Sequence, residues 1–264
     1  MSTRGTRFSR RTFLTLVAVA AMSTCTVAAA KDKDGEGWWT ERDGGAVVRG
    51  SGRIVSEPRA VTPFQAVHLR GAMKLVLRQG TKEAVEVRGD DNLLSLVETT
   101  VISRGGVPTL EIGSKRNASY TTRNRIVVTV DVVTLKALAI TGAGDAEADG
   151  LKAGELNVHV AGSGDLRLRR LSADSLGLKL SGSGDVAASG RAGTLAVSIA
   201  GSGDVAAREL EADDVTVSIA GSGDARVNAR RTLSVSVAGS GDVEYTGDAT
   251  VRSSIAGSGN VTKR

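Results

Sequence analysis

Cysteine is nearly absent: the only one in 264 residues is Cys25, inside an N-terminal segment that reads as a removable export signal. Without that segment the chain carries no thiol, which excludes disulfides and thiol chemistry. Aromatic residues make up 3%, and Trp38 and Trp39 fall in a charged leader, so few rings remain to stack on a sugar. Long apolar runs are missing as well. Leu14–Ala21 is too short and too interrupted to cross a bilayer, so no transmembrane helix is expected in the mature chain. An excess of charge is lacking too. The formal net charge of +5 includes Arg4, Arg7, Arg10 and Arg11 of the signal, which holds no acid, and removing those four leaves +1. That balance gives no support to a nucleic-acid or acidic-lipid partner.

What the N-terminus does hold is specific. Arg10 and Arg11, followed by Phe13 and Leu14, form a twin-arginine pattern ahead of the apolar run, and Ala28-Ala29-Ala30 offers a small-residue cleavage site. Residues 1–30 therefore read as a signal peptide, and the mature chain as exported to the periplasm or cell surface. Met22-Ser23-Thr24-Cys25 is a poor lipobox, so ordinary cleavage is expected rather than a lipid anchor at Cys25. Residues 31–45 read as a charged, flexible leader, with Trp38 and Trp39 expected to dock on the domain's own edge.

From 46 to 133 the chain shows short alternating runs such as Lys74-Leu75-Val76-Leu77 and Ile126–Val133, separated by glycine-rich turns. These predict strands, with Asp91–Glu98 as a short helical turn at most. From 134 to 264 the chain repeats. GAGD at Gly142, Gly144 and Asp145 is followed by GSGD at Gly162, Gly164 and Asp165, then at Gly182, Gly184 and Asp185. Further copies stand at Gly201, Gly203 and Asp204, at Gly221, Gly223 and Asp224, and at Gly239, Gly241 and Asp242. The last copy, Gly257, Gly259 and Asn260, replaces the acid. Successive corners are 20, 20, 19, 20, 18 and 18 residues apart.

Aligned on the acid, apolar residues recur five, seven and nine positions earlier, as in Leu195, Val197 and Ile199 before Asp204, with exceptions at Lys136 and Ser253. Small or polar residues alternate with them, among them Ala139, His159, Lys179 and Ser198. This is a strand with one face in and one out, repeated in every copy. A unit of twenty residues cannot bury its apolar face alone, so the copies must stack. The spacing predicts an all-β parallel solenoid with one coil per repeat; propeller blades need about forty residues each.

The ordered set of motifs carries a family resemblance. Gly50-Ser51-Gly52, Phe64 with Val67, Gly89-Asp90-Asp91-Asn92-Leu93-Leu94, the seven corners and Val243-Glu244-Tyr245-Thr246-Gly247 together resemble the bacterial envelope family described as "putative auto-transporter adhesin, head GIN domain". The resemblance runs from about Arg49 to Val261. It implies a right-handed, single-stranded β-helix with the N-terminal strands continuous with it, and little about chemistry.

Three chemistries compete for the corners. Gly201-x-Gly203-x-x-Ala206 fits a dinucleotide fingerprint, as does Gly182-x-Gly184-x-x-Ala187, but no helix follows and the Gly-x-Gly corner recurs in every coil, so no cofactor is expected. A calcium-stabilised solenoid would use Asp165, Asp185, Asp204, Asp224 and Asp242 as weak metal candidates, yet calcium wants six to eight oxygens and one acid column supplies few. The third reading is structural: glycine makes the bend and the acid accepts hydrogen bonds from turn amides. Arg167, Arg169 and Arg208 stand on outer faces, which keeps a polysaccharide lyase or hydrolase as an alternative. His68 and His159 have no sequence partner, and no catalytic residues are assigned. The expectation is a non-catalytic envelope module, structural or adhesive, whose partner is an unknown envelope protein or glycan. Its last coil, guarded only by Lys263 and Arg264, leaves room for a weak edge-to-edge dimer.

Overall fold

The structure is a computed structural model and describes residues 47–264. The expected signal with Arg10, Arg11, Phe13, Leu14 and Cys25, and the leader with its tryptophan pair, lie outside the described residues.

The corner is the simplest unit to build from. Gly201 has φ +137°, open to glycine alone, and a Cβ placed there would run into the Gly182 carbonyl oxygen of the coil below. The coils can stack this closely only because the corner carries no side chain. Ser202 N–H then donates to that same carbonyl at 2.9 Å. After the corner the chain extends again, and alternation restarts.

The strands of the N-terminal half are β1 (Val48–Arg49), β2 (Ile54–Arg59), β3 (Ala66–Arg70), β4 (Lys74–Gln79), β5 (Ala84–Asp90), β6 (Val97–Arg104), β7 (Val107–Ser114), β8 (Tyr120–Thr121) and β9 (Val127–Val132). A single 3-10 turn, Leu94–Leu96, lies within the stretch read as a short helical turn. The repeat half comprises β10 (Ala137–Gly142), β11 (Asp145–Asp149), β12 (Lys152–Gly162), β13 (Leu166–Gly182), β14 (Val186–Gly201), β15 (Val205–Gly221), β16 (Ala225–Gly239), β17 (Val243–Thr246), β18 (Thr250–Gly257) and β19 (Val261–Lys263).

Coil β13 shows how one copy is laid out. Burial alternates along Leu166–Arg169, slips at Arg170, alternates along Leu171–Ala173, slips again at Asp174–Ser175, and alternates into the corner. Arg170 takes φ +51°, and the register with β14 shifts between Leu168 and Leu171. Each coil thus has an exit face after the corner, a short face, and an approach face running into the next corner. Parallel ladders join equivalent runs, so Leu178 pairs with Val197, Val197 with Val217 and Val217 with Val235. The inward columns form one continuous core, from which Leu195, Val197 and Ile199 are at most 2% exposed. The protein is an all-β solenoid of about six turns.

The N-terminal half belongs to the same stack. β3 lies in parallel register on β10, and β4 on β11, placing Lys74 beside Asp145. Gly71-Ala72-Met73-Lys74 is therefore a further corner, with φ +100° at Gly71 but neither the second glycine nor the acid. Beyond it β7 pairs with β3 and β9 with β4, still in parallel. Antiparallel strands then finish the stack: β6 on β7, β5 on β9 and β2 on β5. Phe64, Leu93 and Leu94 fill this capped end. At the other end, Ile255 is 40% exposed on the last approach strand.

Candidate functional site

The corner acids form a ladder. Asp165 N–H donates to Asp145 Oδ1 at 3.1 Å, Asp185 N–H to Asp165 Oδ1 at 3.2 Å, and Asp204 N–H to Asp185 Oδ1 at 3.1 Å. The series continues through Asp224 and Asp242 to Asn260, at 2.9, 2.8 and 2.8 Å. The donor is the corner amide of the next coil, not an amide of the same turn. Each carboxylate thus spends one oxygen on coil stacking, and the ladder offsets part of the repulsion between stacked charges. At the first rung Arg125 Nη1 reaches Asp145 Oδ2 at 2.6 Å. Burial raises the Asp145 pKa, but the Asp165 amide and then Arg125 outweigh it and leave the group below the ordinary carboxylate range. Among the described residues, no three of His, Cys, Asp or Glu converge as a metal-holding group.

The cap is clamped by a second carboxylate set. Asp90, 1% exposed, accepts from Thr122 Oγ1, from Asn124 Nδ2 at 3.0 Å and from Gly52 N–H at 3.0 Å. The Thr122 bond, then that of Asn124, hold its pKa below the ordinary value, and burial opposes them. Asn92 Oδ1 takes the Ser51 amide at 3.0 Å, and Asp91 takes the Ser51 hydroxyl at 2.5 Å. The Gly50-Ser51-Gly52 and Asp90-Asp91-Asn92 motifs, forty residues apart, are therefore two halves of one clamp.

The approach face carries an open groove of about 1180 Å³. Two outward columns line it. One runs Ala66, Ala137, Asn157, Gly177, Ala196 and Thr216; the other runs His68, Ala139, His159, Lys179, Ser198 and Ser218. The small residues of the first column make the floor. Arg104 and Val107, at the tip of the β6–β7 hairpin, close one end, and Lys136 stands along the side. Lys136 and Lys179 are exposed and form no ion pair among the described residues. Asn157 Nδ2 donates to Glu155 Oε1 at 2.8 Å.

At the closed end, neighbouring strands bring Glu111, His68 and Thr141 into line. Glu111 accepts from Arg104 and lies 3.3 Å from Arg70 Nη2 and 3.5 Å from His68 Nδ1. Burial pushes the Glu111 pKa up, but the Arg104 bond and the charges of Arg104 and Arg70 leave it below the ordinary range. Burial, followed by the charge of Arg104, lowers the His68 pKa against the pull of Glu111. His68 is therefore neutral at pH 7, and its contact with Glu111 joins an imidazole N–H to a carboxylate rather than two charges. Its Nε2 lies 3.0 Å from Thr141 Oγ1, within hydrogen-bonding distance. The line orders the imidazole. His159 lies on the same face, exposed, two strands further along.

Sequence reading placed Ala139, His159, Lys179 and Ser198 between the inward apolar positions, but missed the groove. The signal was an alanine or glycine eight positions before three of the acids, at Ala137, Gly177 and Ala196. Arg167, Arg169 and Arg208 lie on the exit face, away from the groove lining.

No curated protein matches the chain. Solved structures do. One is a "putative adhesin" from Bacteroides fragilis NCTC 9343, 25% identical, covering 82% of this chain and 100% of that one with a TM-score of 0.76. A "putative lipid binding protein" from Parabacteroides distasonis ATCC 8503 is 25% identical over 83% of this chain and 100% of that one, with a TM-score of 0.69. A "putative adhesin" from the same organism is 26% identical over 83% and 100%, with a TM-score of 0.65. The family model described as "Putative auto-transporter adhesin, head GIN domain" matches residues 63–249, from the strand end that Phe64 seals to the last full coil, and the chain belongs to that family.

Proposed function

We propose that this chain is an exported, non-catalytic binding module of the cell envelope, serving at the periplasmic or outer surface, and that its ligand lies along the approach-face groove. The floor of that groove carries the reading. Ala137, Gly177 and Ala196 give a ligand sheet backbone and methyl groups to lie against, while Lys136 and Lys179 stand beside it without carboxylate partners among the described residues. An apolar floor interrupted by Asn157, with cations at its side, suits a single acyl chain ending in an acidic group. The adhesin and lipid-binding descriptions of the relatives support a binding role. Glu111 is neutralised by two arginines and His68 Nε2 is taken by Thr141, which favours a structural part for that trio.

The test uses the full chain and the fluorescent fatty acid cis-parinarate, with oleate as competitor. Saturable binding is expected, weakened about tenfold or more in an Ala137→Trp/Ala196→Trp variant that fills the floor and keeps its melting temperature. Equal binding by the filled variant would overturn the reading. So would hydrolysis of a polysaccharide or ester by the parent chain that is lost in His68→Ala.

A further inference from the structure

We infer a second binding site, on the exit face, for an acidic polysaccharide. It is independent of the approach-face groove. The ladder sets Glu147, Arg167, Ala187, Ala206, Arg226 and Glu244 in one outward column. The two alanines open a gap between Arg167 and Arg226, three strand spacings or about 14 Å apart. Arg169 and Arg208 border the same cleft, which measures about 320 Å³. Four guanidinium groups thus surround a floor of methyl groups. One acid, Glu209, stands at the rim.

The structure already places a carboxylate on half of this set. Glu244 Oε2 sits 2.9 Å from Arg208 Nη2 and 3.7 Å from Arg226 Nε, with Arg264 on its other oxygen at 2.8 Å. Among the described residues, Arg167 and Arg169 form no hydrogen bond or ion pair with a carboxylate; Asp145 and Asp149 feel them through charge alone. The open half is therefore chemically the same as the filled half. A single small anion cannot span 14 Å, whereas a chain with an acid on successive sugars can cross the two alanines and meet arginines at both ends. Glu147 and Glu244 bound the run, so it accommodates only a few charges. Nucleic acid is the poorer fit: single strands are gripped by stacking on aromatic rings, which this cleft lacks, and duplexes need a broader basic surface.

The experiment measures binding of polygalacturonate to the full chain by calorimetry, beside neutral dextran, inorganic phosphate and single-stranded DNA. Polygalacturonate should bind, increasingly weakly as sodium chloride rises, and dextran should not. Arg167→Ala/Arg169→Ala should lose about tenfold or more in affinity with an unchanged melting temperature, while Arg191→Ala on the short face should bind as the parent does. Glu244→Gln, which releases Arg208 and Arg226, should bind about threefold or more tightly. The Ala137→Trp/Ala196→Trp variant should retain polygalacturonate, separating this site from the groove. Undiminished binding by the double arginine variant would overturn the inference, as would equal affinity for phosphate alone or for dextran, or tighter binding of DNA.

Discussion

The two ends of this solenoid solve one problem by opposite means. From Asp145 to Asn260 each coil is held by a near copy of itself, through glycine columns and one repeated amide-to-carboxylate bond. From Val48 to Val132 nearly every partner is different: Asp90 joins Gly52, Thr122 and Asn124, and Glu111 joins Arg70, Arg104 and His68. Repetition makes the coils tolerant along their outward positions and intolerant at the corner. The cap has no such division, because its clamps are single and unduplicated.

The comparison breaks most visibly at a corner. Gly201→Val meets the Gly182 carbonyl at a φ only glycine adopts comfortably, and should cost about 3–5 kcal/mol, lowering the melting temperature by roughly 10 °C. Gly177→Ala is the control. Its new methyl meets only the movable Asn157 Oδ1 at 2.7 Å, and calorimetry should find it within about 2 °C of the parent. Equal melting of the two would show that coils do not stack as tightly as the ladder requires.

Asp90→Ala tests the cap. Three donors lose their acceptor, so amides of Ile54–Arg59 and of residues 121–125 should exchange with solvent much faster by mass spectrometry, while β14 and β15 stay protected. Uniform loss of protection would mean that cap and coils unfold as one unit.

A smaller effect is expected at a single rung. Asp185→Ala removes the acceptor of the Asp204 amide, worth about 1 kcal/mol or roughly 2–4 °C. Asp185→Asn keeps that oxygen and removes a stacked charge, so its melting temperature should equal or exceed that of the parent. A fall matching that of the alanine variant would show that the charge itself is needed.

The mildest probe is acid. The His68 pKa is lowered on folding, so the unfolded chain takes the proton more readily; its contribution is complete above the ordinary 6.5 and shrinks as pH falls below it. Asp90 and Asp145 are also lowered. Their stabilisation is complete above the ordinary 3.8 and is lost as pH falls through their folded values. Melting temperature against pH should therefore show a shallow decline below 6.5, absent in His68→Gln, then a steeper one in stronger acid. A steep first decline shared by His68→Gln would refute the assignment.

The repeat half was legible because a period makes its own alignment: Leu195, Val197 and Ile199 declare their direction once the acids are superposed. The hidden corner at Gly71 was not. It has Met73 and Lys74 where the copies have glycine and aspartate, and its partner Asp145 is 71 residues away, so nothing local announces the pairing. The clamp was visible only as two short motifs, since no spacing rule links Ser51 to Asn92. The groove went unread because an alanine or glycine on an outward column is unremarkable until its neighbours across the sheet are known.

The ladder has one more consequence. Each rung asks only for an acceptor below and offers one above, with no reference to its position in the series. The number of coils is therefore a free parameter: one copy can be inserted or removed without redesigning its neighbours, and the molecule changes length in increments of about 4.8 Å. Only the capped end, which meets a partner unlike itself, is constrained to occur once.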